Sequence, residues 1–483
     1  MRYPSLLAAT SLLLALAGCE EPPHPAEDVQ PDAQEPVDLE EQYRAPVAEI
    51  VEASGQADYA WSWLETLCVD IGHRLSGSES LERATAWSAE ELGNIEGVEV
   101  SRQPVQVHVW VRGEESLTLL SDEPEPLAMV GLGGSVGTGE QPIEGEVVVV
   151  SSLDEIEERA ADIDGRILLV DQPMPHYDAE TFDTGYGATV GIRYGGPRAG
   201  AAHGALAVLV RSVTDDATSP PHTGGTSYGD EGGREIPAAA VSVPVAERLH
   251  RMIDAGETPR VRLQMQAHME EDATSHNVIA ELRGSELPDE IVVFGGHIDS
   301  WDVGQGCHDD GAGVVSAMAA LRLLVEAGLT PRRTIRAILW TNEENGLAGA
   351  NAYNDEHWGD GMHVAGIESD IGAARVIGLN INTEELREPT AIAQLTAIVN
   401  LLAPTGVRVA RSGHGGADLS PMRERGMPSV GILHDPAHYF DLHHTAADTF
   451  EAVDREEFTQ GVAVMAASTY VIADMPARLA NPR

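Results

Sequence analysis

The stretch Gly295-Gly296-His297-Ile298-Asp299-Ser300-Trp301-Asp302, running on to Cys307-His308-Asp309-Asp310-Gly311, decides the fold. β-Formers from Ile291 to Phe294 end in two glycines, then His297, with an aspartate two residues on. A polar, glycine-broken loop follows and closes on paired aspartates at the mouth of a predicted helix. Open α/β sheets place their chemistry just beyond the carboxyl ends of strands. Imidazole and carboxylate there, with no thiolate set nearby, suit zinc or a similar divalent ion in a catalytic site.

Working outward, strands and helices alternate. Strand signals at Asn277 to Ala280, Ile291 to Phe294, Thr334 to Trp340, His363 to Ile367 and Ser429 to Leu433 are interleaved with helical patterns. The helices are predicted over Gly313 to Glu326, about Thr390 to Leu402, and about Glu456 to Ala477. The fold class is therefore α/β, with a mostly parallel mixed sheet and helices on both faces. Upstream, Val47 to Ile95 is mostly helical and Val98 to Val111 strand-like. Between about Leu117 and Met269 lie many glycines, short apolar strands (Val147 to Val150, Ile167 to Val170, Ala205 to Val210) and one clear helix, Val245 to Ala255. That unit reads as a β-rich insertion. The catalytic domain then comprises residues 46–116 and 271–483, interrupted by an inserted cap over 117–270.

Residues 1–18 are a processing segment: Arg2 leads an apolar run from Leu6 to Leu16, too short to span a bilayer. The ending Leu16-Ala17-Gly18-Cys19 resembles a bacterial lipobox, so Cys19 is the expected lipidation site and membrane attachment is by that anchor alone. The expected location is the cell envelope, outer membrane, periplasm-facing or extracellular, and Glu20 after the cysteine favours the outer membrane if the host has two membranes. Residues 19–45 are acidic and proline-rich, as in a disordered tether. Net charge is -48, and all 30 basic residues are arginine. Such a surface repels nucleic acid. Salt adaptation and genomic compositional bias both account for it. Cys68 and Cys307 read as buried small side chains.

Three further carboxylate or imidazole groups fall at strand ends. They are Thr341-Asn342-Glu343-Glu344, Glu368-Ser369-Asp370, and His443-His444-Thr445-Ala446-Ala447-Asp448-Thr449. Taken in this order, the four groups resemble the zinc-dependent aminopeptidase and glutamate-carboxypeptidase family. The phrase Pro221-His222-Thr223-Gly224 and the ending Val471-Ile472-Ala473-Asp474-Met475 extend the likeness.

The resemblance implies a zinc-exopeptidase-like fold holding two Zn2+ per chain, with other divalent ions as alternatives. His297 and Asp370 would bind one ion, Glu344 and His444 the other, and Asp309 would bridge them. Glu343 would be the general base toward a metal-bridged water attacking the peptide carbonyl. Asp299 would orient the His297 ring, and Asp310, in a cis peptide within the family, would fix the backbone of Asp309. His443 competes with His444 as ligand, and the motif register favours His444. The loop His414, Gly415, Gly416 and Asp418 occupies the place where family members shape the substrate pocket. The inserted unit resembles the protease-associated type of cap, which restricts access to short peptides or dipeptides. Carboxypeptidase and aminopeptidase activity share this ligand set and stay open. A non-catalytic binding ectodomain of the same architecture is the other class, but such proteins have lost ligands that this chain keeps. A homodimer is what the family implies for assembly.

Overall fold

The computed structural model describes residues 38–229, 234–382 and 389–480. The expected signal segment, Cys19 and most of the tether lie outside the described residues. Helix begins at Leu39 and takes up the last seven residues of the expected tether, 39–45. The Asp38 carboxylate accepts the amides of Glu40 and Glu41, an N-cap that contributes about 1 kcal/mol.

The larger sheet has eight strands: β1 (Glu99–Val107), β2 (Ala273–Leu282), β3 (Leu287–His297), β4 (Arg333–Trp340), β5 (Met362–Glu368), β6 (Val376–Ile381), β7 (Val409–Ser412) and β8 (Ser429–His434). Their spatial order is β1-β2-β4-β3-β5-β8-β6-β7. The run β4-β3-β5-β8 is parallel, as is β6-β7. β1-β2-β4 and β8-β6 are antiparallel.

Side chains alternate across the central strands, as the pleat requires. Val292 and Phe294 of β3 enter one core with Leu339, Met318 and Met465. Ile291 and Val293 enter a second core with Ile338, Trp340, Tyr353 and Met422. Every residue of β4 is buried, its apolar second half directly and its two arginines through ion pairs, Arg333 with Glu290 and Arg336 with Glu281. Helices Ala312–Glu326 and Arg455–Asp474 cover the first face. Ala348–His357 and Ser420–Glu424 cover the second.

The sequence reading missed β6 and β7. Both are short, and β6 carries Gly378, where a Cβ would strike the backbone of Val409. Cross-strand proximity, not propensity, demands that glycine.

The chain between β1 and β2 builds a second eight-stranded sheet over residues 115–265. Its centre is parallel: Ile143–Val150, Ile167–Val170, Ala207–Arg211 and Ala238–Val241. It is less purely β than expected, because Gly191–Ala202 is a helix. Glycines and Pro197 hide that helix from propensity. Its reason is packing: a Cβ at Gly200 would meet Val208 and Leu168.

The two sheets are joined through the loop that follows β3. Trp301 lies in the core of the second sheet, edge-on to Trp110 with ring centres 6.3 Å apart. Arg112 forks onto the next residue, Asp302, with Nε–Oδ2 at 2.9 Å and Nη2–Oδ1 at 2.5 Å. Gly133 lies against the Trp301 ring, and a Cβ there would overlap it. Gly133→Ala is expected to cost about 1–3 kcal/mol through overpacking. Chemical denaturation checks this; an unchanged midpoint would mean that the wedge is loosely held.

Candidate metal centre

Each candidate group sits where a strand stops. β3 ends on His297, β4 leads into Glu343 and Glu344, and β5 runs into Asp370. The loop after β8 carries His443 and His444. Adjacency of β4, β3, β5 and β8 brings these ends to one edge, as open α/β sheets do with their sites.

Asp309 lies at the middle. Its Oδ1 is 3.1 Å from His297 Nε2 and its Oδ2 is 3.2 Å from His444 Nε2. Asp370 Oδ1 is 3.2 Å from the same His297 nitrogen, and Glu344 Oε2 is 3.0 Å from the same His444 nitrogen. Ligand atoms around a tetrahedral ion with bonds near 2.0–2.1 Å are about 3.3 Å apart, so these separations match coordination edges.

The donors also need a cation. Asp309 Oδ2 and Glu344 Oε1 are buried and receive no aligned hydrogen bond. Ligand atoms gather in three overlapping groups: His297 with Asp309 and Glu344, His297 with Asp310 and Asp370, and Asp309 with His443 and His444. Two members of those groups are spoken for otherwise. Asp310 accepts the amides of His297 at 3.1 Å and Gly313 at 3.0 Å. His443 stacks on His444 at 3.6 Å between ring centres, and its Nε2 is 3.7 Å from Asp309. The Asp309–Asp310 peptide is cis.

Asp299 does a different job from the one expected. His297 Nδ1 is 3.1 Å from the Asp299 main-chain carbonyl, whereas the carboxylate stands 3.8 Å away. That carboxylate accepts the amides of Glu343 at 3.0 Å and Glu344 at 3.3 Å instead. It fixes the turn that presents both glutamates. The loop residues His414, Gly415 and Gly416 line a cavity of about 700 Å³ beside the centre. Asp418 does not, being fully buried with neither oxygen partnered. Gly416 is needed because a Cβ would collide with the Glu368 carboxylate.

Several residues were not singled out from sequence. Asp448 accepts the amides of Cys307 at 2.9 Å, His308 at 2.7 Å and Asp309 at 3.1 Å, so it shapes the turn carrying Asp309. The aspartate of the His-Thr-x-x-Asp-Thr phrase was the available signal. Arg74, fully buried, donates to the carbonyls of Ile298 at 2.7 Å, Gln305 at 2.9 Å and Gly306 at 2.7 Å, bracing the same loop. Thr223 of the insertion offers its carbonyl 3.3 Å from His444 Nδ1, which leaves Nε2 facing the carboxylates. Arg193, also from the insertion, lines the cavity. Cys68 and Cys307 are buried free thiols, as read.

Comparison with known proteins places this geometry. Residues 277–469 match peptidase family M28. Carboxypeptidase Q of Homo sapiens is 38% identical over 412 residues, covering 85% of this chain and 84% of that protein. Carboxypeptidase Q of Xenopus laevis is 37% identical, covering 84% of each. The chain belongs to peptidase family M28. A solved M28 peptidase precursor from Shewanella amazonensis SB2B shares 32% identity and superposes with a TM-score of 0.85, over 92% of this chain and 99% of that one. A zinc aminopeptidase from Bacillus subtilis, at 20% identity and a TM-score of 0.63, shares the fold. The M28 chain described here is accordingly a metallo-exopeptidase.

Electrostatics of the centre carry a pH signature. Burial opposes the His444 imidazolium, yet the Glu344 charge and the bonds to Asp309 and Glu344 outweigh it and push its pKa up to about 9. Burial likewise opposes the charged form of His297, and Asp309 and Asp370 raise it well above the usual range. A cation must displace those protons to bind. Raising pH toward 9 removes the His444 proton, so divalent-ion affinity of the metal-free M28 protein is expected to rise, by up to about tenfold per pH unit for each proton displaced. Chelator competition across pH measures this, and a flat profile would contradict the proton count.

Proposed function

We propose that this M28 peptidase is a dinuclear zinc enzyme that cleaves short peptides, dipeptides included, bearing a free C-terminal carboxylate. Arg193 is the observation that carries the reading. It is 7% exposed, and no carboxylate forms an ion pair with it among the described residues. Its Nη1 is 3.3 Å from the Thr223 carbonyl and 3.2 Å from His444 Nδ1, its Nη2 donates to Tyr186 at 2.8 Å, and its Nε has no partner. A buried cation without a counter-ion is costly. Its position on the cavity wall lets the substrate carboxylate supply the missing charge.

His297, Asp370, Glu344, His444 and the intervening Asp309 would hold the two ions, whose Lewis acidity would acidify water and polarise the scissile carbonyl. Glu343 lines the cavity and makes no ion pair among the described residues, which suits a base. It takes a proton from the attacking water onto its carboxylate as the water oxygen bonds to the carbonyl carbon. It returns that proton to the amine as the C–N bond breaks. Burial first, then the charges of Asp370, Glu344 and Asp299, hold Glu343 well above the usual carboxylate range despite His297. Asp299, through the two amides, aims Glu343 and Glu344 in different directions from one turn.

Export as a lipoprotein anchored at Cys19 belongs to the same proposal, since it would present the enzyme to peptides outside the cytoplasm. No helix among the described residues is long and apolar enough to cross a membrane.

A zinc-loaded panel of free dipeptides, C-terminally amidated dipeptides and aminoacyl-anilides tests the reading. Cleavage confined to the free carboxylates is expected, and Arg193→Gln should raise KM for them by about tenfold or more, as for a lost charged hydrogen bond. Equal turnover of amides and anilides would make the enzyme an aminopeptidase. Glu343→Gln should lower kcat by about 10²–10⁴ with metal content unchanged. Loss of metal in that variant would instead make Glu343 a ligand.

A further inference from the structure

The cavity has one flank that none of this chemistry uses. The segment from Asp178 to Gly185 leaves the second sheet and is braced by its own hydrogen bonds. The Asp178 amide donates to the Asp183 carbonyl at 2.8 Å. The Asp178 carboxylate accepts the Glu180 amide at 2.8 Å, and that of Asp183 accepts the Gly185 amide at 2.9 Å. Near its tip, Phe182 has a φ of 60°, a left-handed conformation that a bulky side chain adopts only where its surroundings impose it.

Those surroundings are Arg411, on strand β7 at the edge of the larger sheet. Its guanidinium carbon lies 5.1 Å from the Phe182 ring centre, and its Nη1 donates to the Thr181 carbonyl at 3.2 Å. Phe182 and Arg411 both line the cavity that Glu343, Asp370 and His444 line. The contact therefore reaches across the cavity from the inserted lobe to the catalytic lobe.

We infer that the Phe182–Arg411 contact is a gatepost that sets how long a peptide the cavity admits. The inference rests on the exopeptidase reading above. A cavity of about 700 Å³ encloses a small ligand on most sides, so a dipeptide is contained, while the far end of a longer chain needs an exit. The contact consists of a half-exposed cation–π pair and one hydrogen bond, a weak closure. Because the segment is braced internally, breaking the contact opens the flank without unfolding the turn. Length selection thus falls to a pair of residues that touch no reacting atom.

The test compares kcat/KM for a dipeptide, a tetrapeptide and an octapeptide, all with free termini, on zinc-loaded wild type, Arg411→Ala and Phe182→Gly. The tetrapeptide-to-dipeptide ratio is expected to rise about fivefold in both variants, the factor that one exposed cation–π contact corresponds to, with dipeptide turnover within about twofold of wild type. Unchanged ratios overturn the gatepost. A parallel fall for all three peptides overturns it too, by making the pair a general substrate contact. The variants stand on opposite banks, and Phe182→Gly removes the unfavourable φ, so misfolding of one leaves the other decisive. Wild-type indifference to the C-terminal carboxylate would defeat the earlier reading instead, whatever the length ratios show.

Discussion

Asp309 is a single carboxylate shared by two imidazoles, with Glu344 beyond one and Asp370 beyond the other. Glu343, Asp310 and Asp299 crowd the same buried space. So many acids away from water cannot all stay ionised by themselves; some take up protons, or cations enter. In the metal-free protein the imidazoles act as those cations: the His297 hydrogen bond and the adjacent His444 imidazolium hold Asp309 well below the usual carboxylate range although burial opposes this. The demand for positive charge at this point is a property of the fold, and the two divalent ions proposed above would satisfy it more fully than two protons.

The rigidity around Asp309 is bought with buried charges spent on backbone. Arg74 donates to carbonyls at both ends of the loop between His297 and Asp309. Asp448 collects three successive amides of the turn, and Asp299 collects the amides of Glu343 and Glu344. Each directs its side chain chiefly to peptide groups, so it orients main chain without adding a competing ligand. Outer partners of this kind hold ligand geometry to the precision that catalysis needs.

The inserted lobe takes part in the centre instead of merely shading it. Trp301 and Asp302 tie the metal loop into the second sheet, and Thr223 accepts from the face of His444 turned away from the carboxylates. Arg193 comes from the helix Gly191–Ala202, the element least visible in the sequence. On the proposed reading the charge that would receive substrate comes from the inserted lobe, which also helps to orient His444. The join between the two sheets governs both.

By itself the sequence determined the α/β class and the strands at whose ends His297, Glu343, Glu344 and Asp370 stand; the roles of those residues, and of Asp309 and His444, were what the family resemblance implied. Those features are local: a strand announces itself over five or six mostly apolar residues, and a polar side chain follows at its end. Short β6 and β7 and the glycine-rich helix stayed hidden because their stability comes from neighbours remote in sequence. The tertiary structure alone decided that Asp299 serves the glutamate turn, that Asp418 is shut away from the cavity, and that Arg193 faces it with no carboxylate partner among the described residues. A side chain's partner depends on which strand lies beside which, and that order is set by packing of the whole sheet.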